Sequence, residues 1–135
     1  MQQGVPAPPT ADKATQTKVL GVLYPFFTPF LMHHYRYRVV VYAALEDKDM
    51  LRRILDYEKM DEELQTLRRD SAVLADEVMQ EEDFEKVEKG WELFDVKHEN
   101  ANDLFFRKQS LHEDVNDFVN KVAKGIAQAS SMTER

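Results

Sequence analysis

Val19 to Tyr35 is the longest stretch of this chain without a charged side chain, and it constrains the fold more than any other feature. Seventeen consecutive uncharged residues, VLGVLYPFFTPFLMHHY, approach the length at which a helix of about 20 residues crosses a hydrocarbon core of about 30 Å. At the far edge Tyr35, Tyr37 and Tyr42 interleave with Arg36 and Arg38, side chains that favour the headgroup layer. Tyr35, Arg36, Tyr37 and Arg38 are therefore expected at a membrane interface, and Val39 to Leu45 would prolong the helix. Pro25 and Pro29 each remove a backbone donor and lie four residues apart, near one helical face, which predicts a kink inside the span. The competing reading is a buried helix of a soluble domain.

Charge then divides the chain. Residues 1–45 carry four basic and one acidic residue, 46–100 carry nine basic and nineteen acidic, and 101–135 carry five of each. An acidic middle and no basic footprint argue against nucleic-acid binding. There is no cysteine, so neither disulfides nor thiolate metal sites are available. With 135 residues the chain is expected to form at most one domain.

Outside the apolar run, the expected architecture is all-α. Residues 1–17, with Pro6, Pro8 and Pro9, read as an extended arm, 18–45 as the transmembrane helix, 46–90 as a long acidic amphipathic helix, and 91–135 as an aromatic-anchored loop followed by a shorter helix. No proline or glycine interrupts the 44 residues from Glu46 to Lys89, and Gly90 would terminate that helix. Met60, Leu64, Leu67, Ser71, Leu74 and Val78 mark one narrow seam, too thin to make a core without another helix or a partner surface. Trp91, Phe94, Phe105 and Phe106 would anchor the loop around Asn100 and Asn102. Ser110 and Glu113 match a capping box that would start a last helix, with Leu111, Val115, Phe118, Val122 and Ile126 on its apolar face.

Nothing in the sequence assembles a catalytic constellation. His33 and His34 are adjacent and diverge by about 100° on a helix, while His98 and His112 have no ligand spacing around them. Phosphate-binding glycine loops, zinc-protease and nucleophile-elbow motifs are missing. Neither cofactor, metal nor small-molecule substrate is expected, and the chain is not expected to be an enzyme.

The order of parts, together with residues 43 to 94, resembles the gene-associated-with-retinoid-interferon-induced-mortality family, the alpha subcomplex subunit 13 of mitochondrial complex I. The resemblance rests on Leu45-Glu46, Arg52-Arg53-Ile54-Leu55, Glu62-Glu63, the step from Asp76 to Met79, and Lys86-Val87 beyond Asp83-Phe84. The chain departs from the family in supplying only Pro8-Pro9 of a longer proline-glycine string, in the position of Gly90, and in its ending. The resemblance implies a non-catalytic accessory subunit of NADH:ubiquinone oxidoreductase, a single-pass protein of the mitochondrial inner membrane with its N-terminus in the matrix and its C-terminal helices in the intermembrane space. Its partners would be core and accessory subunits of complex I and membrane lipid, and its role assembly and stability of the membrane arm near the quinone-binding region. The alternatives are an accessory subunit of another inner-membrane complex such as ATP synthase, and a soluble helical adaptor that dimerises through the Met60–Val78 seam.

Overall fold

The structure is a computed structural model that describes residues 12–29, 31 and 36–133, with side chains as far as 129. Four α-helices follow in order, α1 (Lys13–Leu23), α2 (Arg36–Glu46), α3 (Lys48–Gln80) and α4 (Phe84–Thr133), and a short 3-10 turn, Tyr24–Phe26, follows α1. The chain divides into two compact units rather than one: Met1–Asp56 with Leu111–Arg135, and Tyr57–Ser110.

The expected membrane span is overturned. Residues 18–45 do not form one bent helix: α1 stops at Leu23, the 3-10 turn follows with Pro25 at its start, Phe27 is extended (φ −77°, ψ 136°), and α2 begins only at Arg36. Pro25 has no N–H to offer the carbonyl four residues back and its ring collides there. Pro29 occupies the second position of a turn closed by Leu31 N–H donating to the Thr28 carbonyl at 3.0 Å, the place in a turn that suits its fixed φ. Two such residues so close together end a helix rather than bend it. Among the described residues no helix is long and apolar enough to cross a membrane. The arm is also shorter than expected, because α1 already begins at Lys13; residues 1–11 lie outside the described residues.

In the first unit, Asp12 caps α1 by accepting the Thr15 backbone N–H at 2.7 Å. This hydrogen-bond donation, from the Thr15 side chain first and its backbone second, holds the Asp12 carboxyl below its ordinary range. α1 packs on α2, burying Val19 and Leu23 on one helix and Val40, Val41, Ala44 and Leu45 on the other. One residue separates α2 from α3. Asp47 accepts Met50 N–H on its side chain (3.0 Å) and Leu51 N–H on its carbonyl (2.8 Å), starting a new helix where the old one ends. Phe26 and Leu31 between α1 and α2, Met50 and Ile54 of α3, and Val115 and Val119 of α4 complete the buried set. Fully burying a side chain of this kind is worth about 1.5–3 kcal/mol, so this unit carries a real core. Phe26 lies against the His112 ring with centroids 4.6 Å apart, and Arg53 approaches Asp114 at 3.7 Å.

The second unit is an antiparallel pair of helices. Lys108 pairs with Asp61 near one end, and Gly90 meets Val78 near the other. α3 does not run on to Gly90 but stops at Gln80, and Glu81-Glu82-Asp83 makes the reversal. The Glu81 carboxylate accepts the N–H groups of Glu82 and Asp83, each at 3.1 Å, and the Asp83 carboxylate accepts that of Glu85 at 3.0 Å. Two carboxylates thus take three backbone donors at the reversal, beside a helix start where the dipole also favours negative charge. Gly90 lies inside α4, its bare backbone facing Val78 where a Cβ would overlap the valine Cγ2. The expected loop at 91–109 is helix, and Ser110 sits within α4 rather than at its start.

Candidate interaction surface

Side chains along the second unit follow a seven-residue register. On α3 the inward positions are Tyr57, Asp61, Leu64, Arg68, Ser71, Ala75 and Val78, and on α4 Val87, Gly90, Phe94, Lys97, Ala101, Leu104 and Lys108, at intervals of three and four. All but Arg68 are at least half-covered, yet only Leu64, Val78 and Leu104 are buried. The Met60–Val78 seam is therefore covered in part by the chain's own α4. Of the expected seam, Leu64 and Val78 face inward, while Met60, Leu67 and Leu74 are half-buried beside it. Ser71 faces inward as well, its Oγ buried without a hydrogen-bond partner.

The apolar side chains that this thin seam cannot cover are exposed. Of the nine large apolar side chains exposed among the described residues, eight belong to the second unit, including Met79 (70%), Phe84 (72%), Trp91 (38%), Phe105 (39%) and Phe106 (66%). Monomers usually expose apolar residues singly, whereas Phe84, Trp91 and Phe105 share one flank of α4 at intervals of seven, as at a binding surface.

Four ring-bearing side chains on α4 occur at a fixed interval of seven: Phe84, Trp91, His98 and Phe105. On a helix they fall on one flank of the seam, beside Phe94. Trp91 meets Phe94 edge-on at 5.4 Å between centroids, and Phe94 stacks on His98 at 6.3 Å and 6°. The Asn102 amide lies 3.5 Å from His98 Nε2. Opposite these rings stand small residues, Ser71, Ala72 and Ala75 of α3, so an open groove of about 540 Å³ forms, closed off by Ala101, Phe105 and Arg68. The repeated ring at every seventh position was present in the sequence. It becomes a row only because 84–133 is one continuous helix and not a helix, a loop and a helix.

The remaining predicted positions are dispersed. Tyr35, like His33 and His34, lies outside the described residues. Arg36, Tyr37 and Arg38 open α2, where the Arg38 guanidinium lies 5.8 Å from the Tyr37 ring centre, and its hydrogen bond to Tyr37 raises its already high pKa. Pro25 and Pro29 shape the turn after α1. Trp91, Phe94, Phe105 and Phe106 are brought to one helix, with Phe105 and Phe106 edge-to-face at 5.7 Å. Among the described residues no three His, Cys, Asp or Glu side chains converge as a metal site would require.

What this arrangement can do chemically is bury an apolar surface of another molecule. Compared with protein-family models, curated proteins and solved structures, the chain has no match.

Proposed function

We propose that this chain is a non-catalytic helical docking module, in which the second unit presents an aromatic face to another protein. The observation that carries the reading is the concentration of exposed Phe, Trp, Leu, Val and Met side chains on Tyr57–Ser110. An interface needs a cluster of aromatic anchors at a depression; Phe94 and Phe105 line the groove, and Trp91 lies beside it against Phe94. The test is native purification of the tagged chain beside a Phe84→Asp/Phe105→Asp variant whose helix content and melt are unchanged. Loss of stoichiometric partners in the variant supports docking through this face; their retention rejects it.

A narrower form of the same proposal keeps the complex I resemblance. The matching stretch, residues 43 to 94, covers the end of α2, all of α3 and the first turns of α4, so an accessory subunit of this kind would be held by its hairpin and not by a span of its own. Deletion would then lower assembled NADH:ubiquinone oxidoreductase without changing turnover per complex, since a bound subunit stabilises its assembly by mass action. Unchanged abundance on native gels rejects this form, and loss of ATP synthase instead assigns the chain to that machine.

A further inference from the structure

Resting on the docking reading above, we infer that the groove beside Trp91, His98 and Phe105 seats a basic amphipathic helix from another protein. Two observations lead to it.

The first is positional. In the first unit, the same register position of α4 is held by His112 and Val119: Val119 is fully buried, and Phe26 packs on the ring of His112, which otherwise stays exposed. In the second unit this position is held by Phe84, Trp91, His98 and Phe105, and the two phenylalanines and the tryptophan are exposed. A helix presenting one apolar side chain per two turns matches that spacing, because knobs from a third helix enter between rings seven residues apart.

The second is charge. Outward of the rings α4 carries Glu85, Glu88, Glu92, Asp95 and Glu99, all exposed. The basic residues of the same stretch lie elsewhere, Lys97 and Lys108 in the seam and Lys86, Lys89 and Arg107 on the far side of the helix. Whatever lies on the rings meets Arg68 on the α3 side but five carboxylates along the α4 edge, and that excess of acid favours a basic partner. Residues 57–110 hold eight basic and sixteen acidic side chains, net −8, so a second copy would set acid against acid.

Trp91 is the only tryptophan, so its emission reports on the groove in the intact chain. The probe is a synthetic Leu/Lys peptide of about five helical turns with leucines at heptad spacing, compared with the same peptide carrying Glu for Lys. The expected result is a saturable blue shift of Trp91 emission with the Lys peptide only, weakened at higher salt. Phe105→Asp, and separately Glu92→Lys/Asp95→Lys/Glu99→Lys, should each weaken binding roughly tenfold or more while the melt is unchanged. No shift with the Lys peptide, an equal shift with the Glu peptide, or binding indifferent to both variants overturns the inference. Burial of Trp91 by concentration-dependent doubling of mass without peptide also overturns it, assigning the groove to a second copy. If the Lys peptide fails while the Phe84→Asp/Phe105→Asp variant loses its native partners, docking stands and the basic helix falls. If partners survive that variant, docking itself falls.

Discussion

Lys108 donates to Asp61 across the seam of the second unit, and the same ammonium lies 5.2 Å from the centre of the Tyr57 ring. Both charges occupy positions where a tightly packed helix pair would carry leucine. Their side chains are 21% and 37% exposed, so water screens the pair in part. A polar pair at such positions fixes alignment at some cost in stability.

Replacing one partner should therefore hurt and replacing both should help. Lys108→Leu or Asp61→Leu alone strands the other charge and is expected to cost about 1 kcal/mol, below the range for fully buried pairs because of that exposure. Asp61→Leu/Lys108→Leu should melt at or above the parent temperature. A double variant as weak as the sum of the two singles would show that the pair contributes nothing through coupling.

Gly90 gives a second sign-reversing test. Alanine normally favours a helix over glycine by about 1 kcal/mol, but here its Cβ would strike Val78, a β-branched residue with little rotamer freedom in a helix and only 6% exposed. Gly90→Ala should destabilise, by about 1–3 kcal/mol less the helix gain. In a Val78→Ala background the same change should stabilise. Denaturant titration of the four proteins decides it.

The Asp12 cap predicts a pH dependence. Its carboxyl is depressed in the folded chain, so its contribution is present above the unfolded value of about 3.9 and is lost as pH falls through the still lower folded value. Amide exchange in the first turn of α1 should rise below about pH 4 relative to the rest of α1, and Asp12→Asn should flatten that rise. An unchanged profile in Asp12→Asn would remove the cap as its cause.

Truncations should separate core from surface. Ile54→Ala, at a fully buried position, should cost about 2–5 kcal/mol, whereas Phe106→Ala, at a side chain two-thirds exposed, should stay within about 0.5 kcal/mol. Thermal melts of the purified chain measure both. A large loss in Phe106→Ala would mean that this ring belongs to the core.

The residues that misled are as informative as those that did not. The all-helical class and the C-terminal apolar face were legible, since Val115 is buried and Leu111, Phe118, Val122 and Ile126 are half-buried. The reversal at Glu81-Glu82-Asp83 was not. It uses no glycine or proline, and carboxylates that bind backbone donors look in sequence like any solvated acidic run. Gly90 and Ser110 carry the chemistry of a helix end and start, but packing against Val78 explains the first, and α4 simply passes through the second. The apolar run from Val19 misled for another reason. Hydrophobicity measured along the chain does not tell a span from a folded segment when two prolines break the helix between them, and Leu23, Phe26 and Leu31 are buried by neighbouring protein instead.

The first unit is written in two pieces, Met1–Asp56 and Leu111–Arg135, with Tyr57–Ser110 inserted between them. Where Arg53 meets Asp114 the two pieces of the first unit come within reach of each other. Such an insertion can change length without disturbing its host, provided both arms gain or lose seven residues together, since each heptad moves the tip by about 10 Å and restores the facing positions. The length of the second unit is thereby a heritable variable of this architecture, open to selection separately from the packing of the first.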